Sequence, residues 1–326
     1  MAAAFRYTIY GLAVRSNQPL PAPQAPDEGP VDLDIHISAR PDRSLDWSGP
    51  EPVYAGTESL WRLDDHTWRL GYTDHRSGAR WDLTCEHGAR ITIRWTEGIS
   101  IPDLRTFLLN SAVTIALHLR GTPCLHASGV VVNERGALLL GPSGTGKSTT
   151  AAALVAAGSE LLTDDIAALD LRRHRVRVQR GHPRLRLLAD SAAAMNECFD
   201  RLPPVWTDPS FSTKRYLDAS ADAGGRRRAP VELGVVYVLT PRDAEQGEPA
   251  ITPLAPREAL RWLLGYTYGG GWLDAQRRAR LFQSLARVTE LVPVRRVHRG
   301  DRLADLPKLV DMLSEDAALV TAPCPG

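Results

Sequence analysis

The run GPSGTGKS at positions 141–148 constrains this chain more than any other stretch. It satisfies G-x-x-x-x-G-K-[ST] without a mismatch, and its flanks fit as well. "ALLL" (Ala137–Leu140) before it is a short apolar run of buried-strand type. "KSTTAAALVAA" after it is rich in helix formers, has no internal Gly or Pro, and stops at Gly158, a residue suited to a helix C-terminus. Strand, glycine loop and helix in that order form an anion cradle. The glycines let backbone N–H groups turn inward toward phosphate oxygens, and the positive end of the helix dipole faces the same point. Lys147 adds a cation for the β- and γ-phosphates, and Ser148 a hydroxyl for Mg²⁺. The expected nucleotide-binding set is Gly141, Pro142, Ser143, Gly144, Thr145, Gly146, Lys147, Ser148 and Thr149.

A phosphate-binding loop of this kind needs a carboxylate near the metal. "GVVYVLTP" is the stronger strand but ends without an acid, whereas "ELLTDD" delivers Asp164 and Asp165 directly after the loop helix. Consecutive strand side chains face opposite ways. The two acids are therefore expected to do different work, one near the metal and one reaching the attacking group. The bland reading of Asp-Asp is a turn or helix cap. His126 opens the strand leading into a hairpin, "LHASGVVV" and "GALLL" about "NERG". Paired strands lie about 4.8 Å apart, which puts the start of one near the end of the other. His126 is thereby expected beside the loop.

The rest of the chain reads as two domains, as 326 residues suggest. Residues 1–102 read as a β-rich domain of short alternating bursts, interrupted by the proline-rich "NQPLPAPQAPDEGP". Five of eight tryptophans fall there: Trp47, Trp61, Trp68, Trp81 and Trp95. They read either as a recognition surface or, more simply, as core. Residues 103–326 begin with a helix (Asp103–Gly121) and alternate strands with helices, an α/β pattern. Between Gly181 and Pro230 the expectation is loop with one helix, "DSAAAMNECF".

Charge and composition narrow the partners. Lys+Arg 39 against Asp+Glu 38 gives +1, which argues against a nucleic-acid partner. No apolar run has membrane-spanning length, and mean hydropathy is −0.22, so no membrane partner is expected. The N-terminus lacks a basic region followed by an apolar stretch and reads as mature protein. Cys85, Cys124, Cys198 and Cys324 form no C-x-x-C pair, which disfavours zinc and disulfides and makes a cytoplasmic location the simplest expectation. Two basic clusters, Lys214–Tyr216 and Gly224–Arg228, read as solvated surface or as clamps for phosphate or an acidic peptide. "YTYGGGW" (Tyr266–Trp272) reads equally as a mobile loop or a helix-ending turn.

"LHASGVVVNERGALLLGPSGTGKSTTAAALVAAGSELLTDDIAALD" resembles the catalytic core of HPr kinase/phosphorylase and the related bacterial serine kinases. The likeness covers about 45 residues and is specific from His126 to Asp165. "YGLAVRSNQPLP", "GHPRLRLLADS" and "KRY" look like HPr-kinase-related proteins, some encoded with lasso-peptide biosynthesis and acting on a precursor peptide. The resemblance implies a P-loop kinase domain with a mixed sheet, as in phosphoenolpyruvate carboxykinase, preceded here by the β-rich domain. It implies Asp165 as general base, His126 as active-site histidine, Lys147 on the phosphates, and Ser148 on the metal, leaving Asp164 as the second metal-side group. One departure matters: the family's Glu-x-Arg-Gly-Leu-Gly segment supplies a metal-binding Glu, whereas "RGHPRLRLLADS" has none, and Asp190 is the nearest acid. That removes the ground for expecting the reverse reaction or HPr as acceptor.

The resulting expectation is an ATP- and Mg²⁺-dependent kinase acting on a serine hydroxyl of a peptide or protein, a lasso-peptide precursor among the candidates. Self-association into a homo-oligomer is left open. A small-molecule kinase and a nucleotide-switched binding module without transfer are the alternatives.

Overall fold

The computed structural model describes residues 4–26, 28–43, 45, 51–172, 174–219, 229–243 and 248–321. Trp47, Cys324 and the cluster Gly224–Arg228 fall outside the described residues. The chain is mixed α/β with mixed sheets and divides into two compact units. Among the described residues no helix is long and apolar enough to cross a membrane.

The first unit comprises residues 1–122, 206–212 and 269–278. Its eight strands are β1 (Phe5–Ile9), β2 (Leu12–Ser16), β3 (Leu33–Ile37), β4 (Tyr54–Ala55), β5 (Ser59–Arg62), β6 (Thr67–Thr73), β7 (Arg80–Glu86) and β8 (Arg90–Trp95). They form one sheet in the order β1-β2-β3-β8-β7-β6-β5-β4. Only the β2–β3 and β3–β8 pairs are parallel. The period of two is plain in β3, where Leu33, Ile35 and Ile37 are buried and Asp34 and His36 are not. Trp61, Trp68 and Trp81 are buried, and half-buried Trp95 donates its Nε1–H to the Ser38 carbonyl at 3.0 Å. The described tryptophans are thus largely core, as the simpler reading held.

The helical stretch after β8 consists of α1 (Ile101–Phe107), a π-helical turn (Leu108–Ala112) and α2 (Val113–Leu119). Ser100 caps α1 by accepting the Asp103 N–H at 3.2 Å, and Pro102 suits its first turn. The expected domain boundary at 102 separates this stretch from the β-rich half, whereas in the structure it groups with it, up to residue 122. The reason is packing. Phe107 lies 5.0 Å from Trp81 and 5.3 Å from Tyr72, ring centre to ring centre, so the helix covers the sheet's aromatic face. Trp206, from a returning segment, packs at a tilt against Phe107, ring centres 4.7 Å apart. Trp81 is 1% exposed at the centre of this cluster. Trp81→Ala should therefore cost about 3–5 kcal/mol of the unit's stability, read as a lowered denaturation midpoint by tryptophan-independent circular dichroism.

The second unit comprises residues 123–205, 213–268 and 279–326. Its larger sheet runs β12 (Glu160–Thr163), β10 (Ser128–Val132), β11 (Arg135–Leu140), β17 (Val231–Leu239), β14 (Arg177–Val178), β13 (Ala167–Asp170), β9 (Cys124–Leu125). β19 (Val294–His298) also pairs with β17, and β18 (Ala250–Pro253) pairs with β19. β11, β17 and β19 are mutually parallel neighbours, so their C-terminal ends share one edge of the sheet. A separate ribbon pairs β15 (Arg184–Leu187) with β16 (Arg215–Asp218). The helices are α3 (Lys147–Ala156), α4 (Ala189–Ala194), α5 (Pro256–Gly265), α6 (Ala275–Leu291, beginning in the first unit) and α7 (Leu306–Thr321). Alanines 151–153 of α3 let it lie close to the sheet, where they join Leu139, Val235, Leu239, Leu309 and Leu313 in one core.

Three local expectations are revised. His126 does not open a strand; it sits in a bend between β9, which pairs with β13, and β10, which pairs with β11 and β12. The acidic pair lies just beyond β12 rather than in it. Residues 181–230 hold the β15–β16 ribbon as well as a helix, because Leu185 and Leu187 alternate with Arg184 and Arg186 and bury their face. The hairpin between β10 and β11 turns through Asn133 and Glu134, both at positive φ (48° and 63°), the two-residue geometry that matches strand twist.

Candidate active site

The glycine loop leaves the C-terminal end of β11 under close restraint. Gly141 has φ of 149°, and a Cβ there would stand 2.5 Å from the Leu239 carbonyl oxygen of β17. Gly144 and Gly146 take left-handed φ values of 82° and 84°. Gly146 is the residue immediately before α3, and no side chain caps that helix start. The first N–H groups of α3 are thus left for another acceptor. Lys147, 8% exposed, folds back so that Nζ donates to the Gly141 and Pro142 carbonyls at 2.8 and 3.2 Å. Burial lowers the pKa of its ammonium group, against the opposing pull of Asp165 and Asp164.

The two acids divide their contacts. Asp164 Oδ1 accepts from Ser128 Oγ at 2.5 Å and from Ser148 Oγ at 3.0 Å, and Oδ2 accepts the Arg186 backbone N–H at 3.0 Å. Asp165 instead receives Arg186 Nη1 at 2.8 Å on Oδ2 and faces His126 Nδ1 at 3.3 Å with Oδ1. What separates them is not strand alternation but the left-handed backbone of Asp165, φ 75°. Burial opposes ionisation of Asp165, yet Arg186, His126, Lys214 and Lys147 together outweigh it and hold the carboxyl below its ordinary range.

His126 is brought to the acids by the bend rather than by the hairpin. Its N–H donates to the Tyr266 carbonyl at 2.7 Å, and Tyr268 donates back to Cys124 at 2.9 Å, so Tyr266–Tyr268 lie hydrogen-bonded along this bend. The ring Nδ1 faces two oxygens of Asp165, the carboxylate and, at 3.1 Å, the backbone carbonyl. Two acceptors at one nitrogen require that Nδ1 carry the hydrogen, which leaves Nε2 with the lone pair in the neutral ring. Burial lowers the His126 pKa, and Asp165 only partly restores it.

The remaining sequence candidates separate. The charge of Lys214 acts on both Asp165 and Lys147. Arg215 turns away: Nη1 donates to the Leu202 carbonyl at 2.7 Å and its guanidinium lies 5.1 Å over the Phe199 ring, holding the 199–202 segment. Asp190 is exposed in the first turn of α4, and the neighbour that touches the loop helix is Ser191, through Thr149 Oγ1 at 2.7 Å. Among the described residues no three His, Cys, Asp or Glu side chains converge to cage a metal. Ser148 with Asp164 suits Mg²⁺ nonetheless, since that ion is commonly held by one or two carboxylates together with substrate phosphates and water. Arg186 and Ser128 were missed in the sequence. The alternating R-L-R-L of 184–187 was the available signal for Arg186; Ser128 had none beyond its place two residues after His126.

Removing the Asp165 charge tests the coupling. Asp165→Asn tolerates the left-handed backbone and deletes an influence that raises His126, so the ring should titrate at lower pH in the variant. Imidazole resonances followed across pH decide it; an unchanged pKa would show that the pair does not interact. The sign for stability follows from linkage. Folding lowers this pKa, so the unfolded chain binds the proton more readily, and stability is lost as pH falls through the ordinary histidine range toward the lowered folded value.

No protein-family model matches the chain, and no curated protein matches it. In shape it is similar to the Hpr(Ser) kinase/phosphatase from Coxiella burnetii, at 13% sequence identity and a TM-score of 0.35, over 60% of this chain and 96% of that one.

Proposed function

We propose that the chain is an ATP- and Mg²⁺-dependent kinase that phosphorylates a serine hydroxyl of a peptide or protein. The observation that carries the reading is the sharing of labour at 164–165. One carboxylate is tied to the hydroxyl that follows the loop lysine, and its neighbour is held ionised 3.3 Å from a histidine. A module that only binds nucleotide has no use for the second acid. The serine acceptor, and a lasso-peptide precursor as its source, rest on the sequence likeness of the 126–165 segment and its flanking motifs.

In this reading the loop N–H groups and Lys147 bind and align the triphosphate, with Lys147 exchanging its two loop carbonyls for phosphate oxygens. Ser148 and Asp164 would hold Mg²⁺, which when bound neutralises charge on the β- and γ-phosphates. The acceptor Oγ–P bond forms as the bond between the γ-phosphorus and the β,γ-bridging oxygen breaks, ADP leaves, and the hydroxyl proton passes to Asp165. A carboxylate kept below its ordinary pKa is a weak base. Its contribution is therefore to orient the hydroxyl and to take the proton late, as the new bond completes. Arg186 fixes that carboxylate, and His126, donating through Nδ1, fixes its other oxygen.

Two variants separate these roles. Asp165→Asn should bind Mg·ATP nearly as the wild type and slow single-turnover transfer by about 10²–10⁴-fold. Asp164→Asn should raise the Mg²⁺ requirement and recover partly at high metal. The measurement is transfer from γ-labelled ATP to a panel of serine peptides across a magnesium titration, with Lys147→Ala as the inactive reference. Metal sensitivity in Asp165→Asn instead would reverse the assignment, and nucleotide binding without label on any peptide or metabolite would favour a switch.

A further inference from the structure

On the acid side of the loop, carboxylates face the cations; on its other side they do not. Arg299 follows β19 directly and is 7% exposed, yet its Nε and Nη2 have no hydrogen-bond partner among the described residues. Arg242 follows the end of β17 by three residues. Both guanidinium groups converge on the last loop glycine. A Cβ built on Gly146 would lie 3.0 Å from Arg242 Nη2 and 3.6 Å from both Arg299 Nη atoms. Next to them is a small cavity of about 20 Å³, lined among others by Thr149, Arg299, Gly300, Leu306 and Leu309. Of the carboxylates lining it, Asp305 is engaged by Arg302 at 3.0 Å, and Asp301 is exposed.

A buried cation without a counter-charge is expensive to keep, by several kcal/mol per ion, and a second cation beside it adds to that. Burial and the like charge of Arg242 together lower the Arg299 pKa to about 10. Structural arginines end on carboxylates or carbonyls, as Arg186 and Arg215 do here. A pair left without them, at the uncapped start of a ten-residue helix and at the C-terminal edge shared by three parallel strands, has the chemistry of an anion site.

We infer that Arg299, supported by Arg242, grips the α/β end of the nucleotide polyphosphate, opposite the γ end served by Lys147. This rests on the kinase reading for the identity of the anion. Thr149, on the first turn of α3, lines the same cavity, so the arginine pair and the start of the helix face one space. Because the contact falls short of the γ-phosphate, ATP and ADP share it, and it contributes to nucleotide affinity rather than to the transfer step.

Calorimetric titration of Mg·ATP and Mg·ADP into the wild type, Arg299→Gln, Arg299→Lys and Arg242→Gln tests this. Arg299→Gln should weaken ATP and ADP alike by about 10- to 100-fold. Its melting temperature without nucleotide should hold or rise, because an uncompensated buried charge has gone. Arg299→Lys, which keeps the charge and loses the fork, should fall between the two. Wild-type affinity for both nucleotides in Arg299→Gln, or a lowered melting temperature with unchanged affinity, would make Arg299 a structural residue and overturn the inference while leaving the kinase reading intact. A wild-type protein that binds neither nucleotide would overturn both. Should Arg299→Gln not fold, exposed Arg242→Gln carries the same test, and unchanged affinity there together with unchanged affinity in Arg299→Lys would sink the pair.

Discussion

The buried carboxylate of Asp164 joins three parts of the second unit that are distant in sequence. It accepts hydrogen bonds from Ser128 after the β9–β10 bend, from Ser148 at the start of α3, and from the Arg186 backbone in β15. A carboxylate taken out of water is costly unless its lone pairs are satisfied. Its donors come from elements that also meet in one hydrophobic core, through Val130, Ala152, Leu185 and Leu187. The satisfied acid therefore fixes the start of α3 relative to the bend that carries His126. It also fixes the ribbon strand whose Arg186 side chain reaches Asp165.

The neighbouring residue turns that framework into a site. Asp165 stands at φ 75°, a conformation that disfavours most side chains and is easier for Asp and Asn. The modest backbone cost is offset by the Arg186 ion pair and by the histidine contact. The result is two adjacent carboxylates directed to different partners. The first is hydrogen-bonded on both oxygens and lies beside the Ser148 hydroxyl. The second is ionised and next to an imidazole whose free lone pair is on Nε2. Burial lowers the pKa of both Lys147 and His126. Low local dielectric therefore acts on both groups, and strengthens their Coulomb interactions with the acids.

Charge is distributed unevenly around the loop. At the acid end, cations and anions are interleaved: Arg186, Lys214 and Lys147 against Asp164 and Asp165. At the Gly146 end, two guanidinium groups meet without a carboxylate bonded to either among the described residues. Hydrophobic burial supports this arrangement from below. Leu138–Leu140 of β11 and Val235–Leu239 of β17 are nearly solvent-free, and the C-terminal ends of the parallel strands β11, β17 and β19 deliver the loop, Arg242 and Arg299 to one edge.

How much was legible in the sequence depended on how local each feature is. The strand–loop–helix around Gly141–Ser148, the hairpin turn at Asn133–Glu134 and the presence of an acidic pair after the loop helix are dictated by glycine φ freedom, turn chemistry and short-range periodicity. The sequence carries all of these within a few residues. The alternation of β3 likewise announced its buried face. Tertiary structure alone decided the rest. Helix 101–119 belongs with the β-rich unit because Phe107 finds Trp81 and Tyr72, a contact no local pattern encodes. His126 reaches Asp165 because β9 and β10 pair with different strands. Arg186, Lys214, Arg242 and Arg299 look alike as basic residues in sequence. One became an ion-pair partner, one a charge at the acids, and two an unneutralised pair at Gly146. A side chain's charge is set by its own chemistry, but its counter-charge is set by which distant segments the sheet topology brings within a few ångströms.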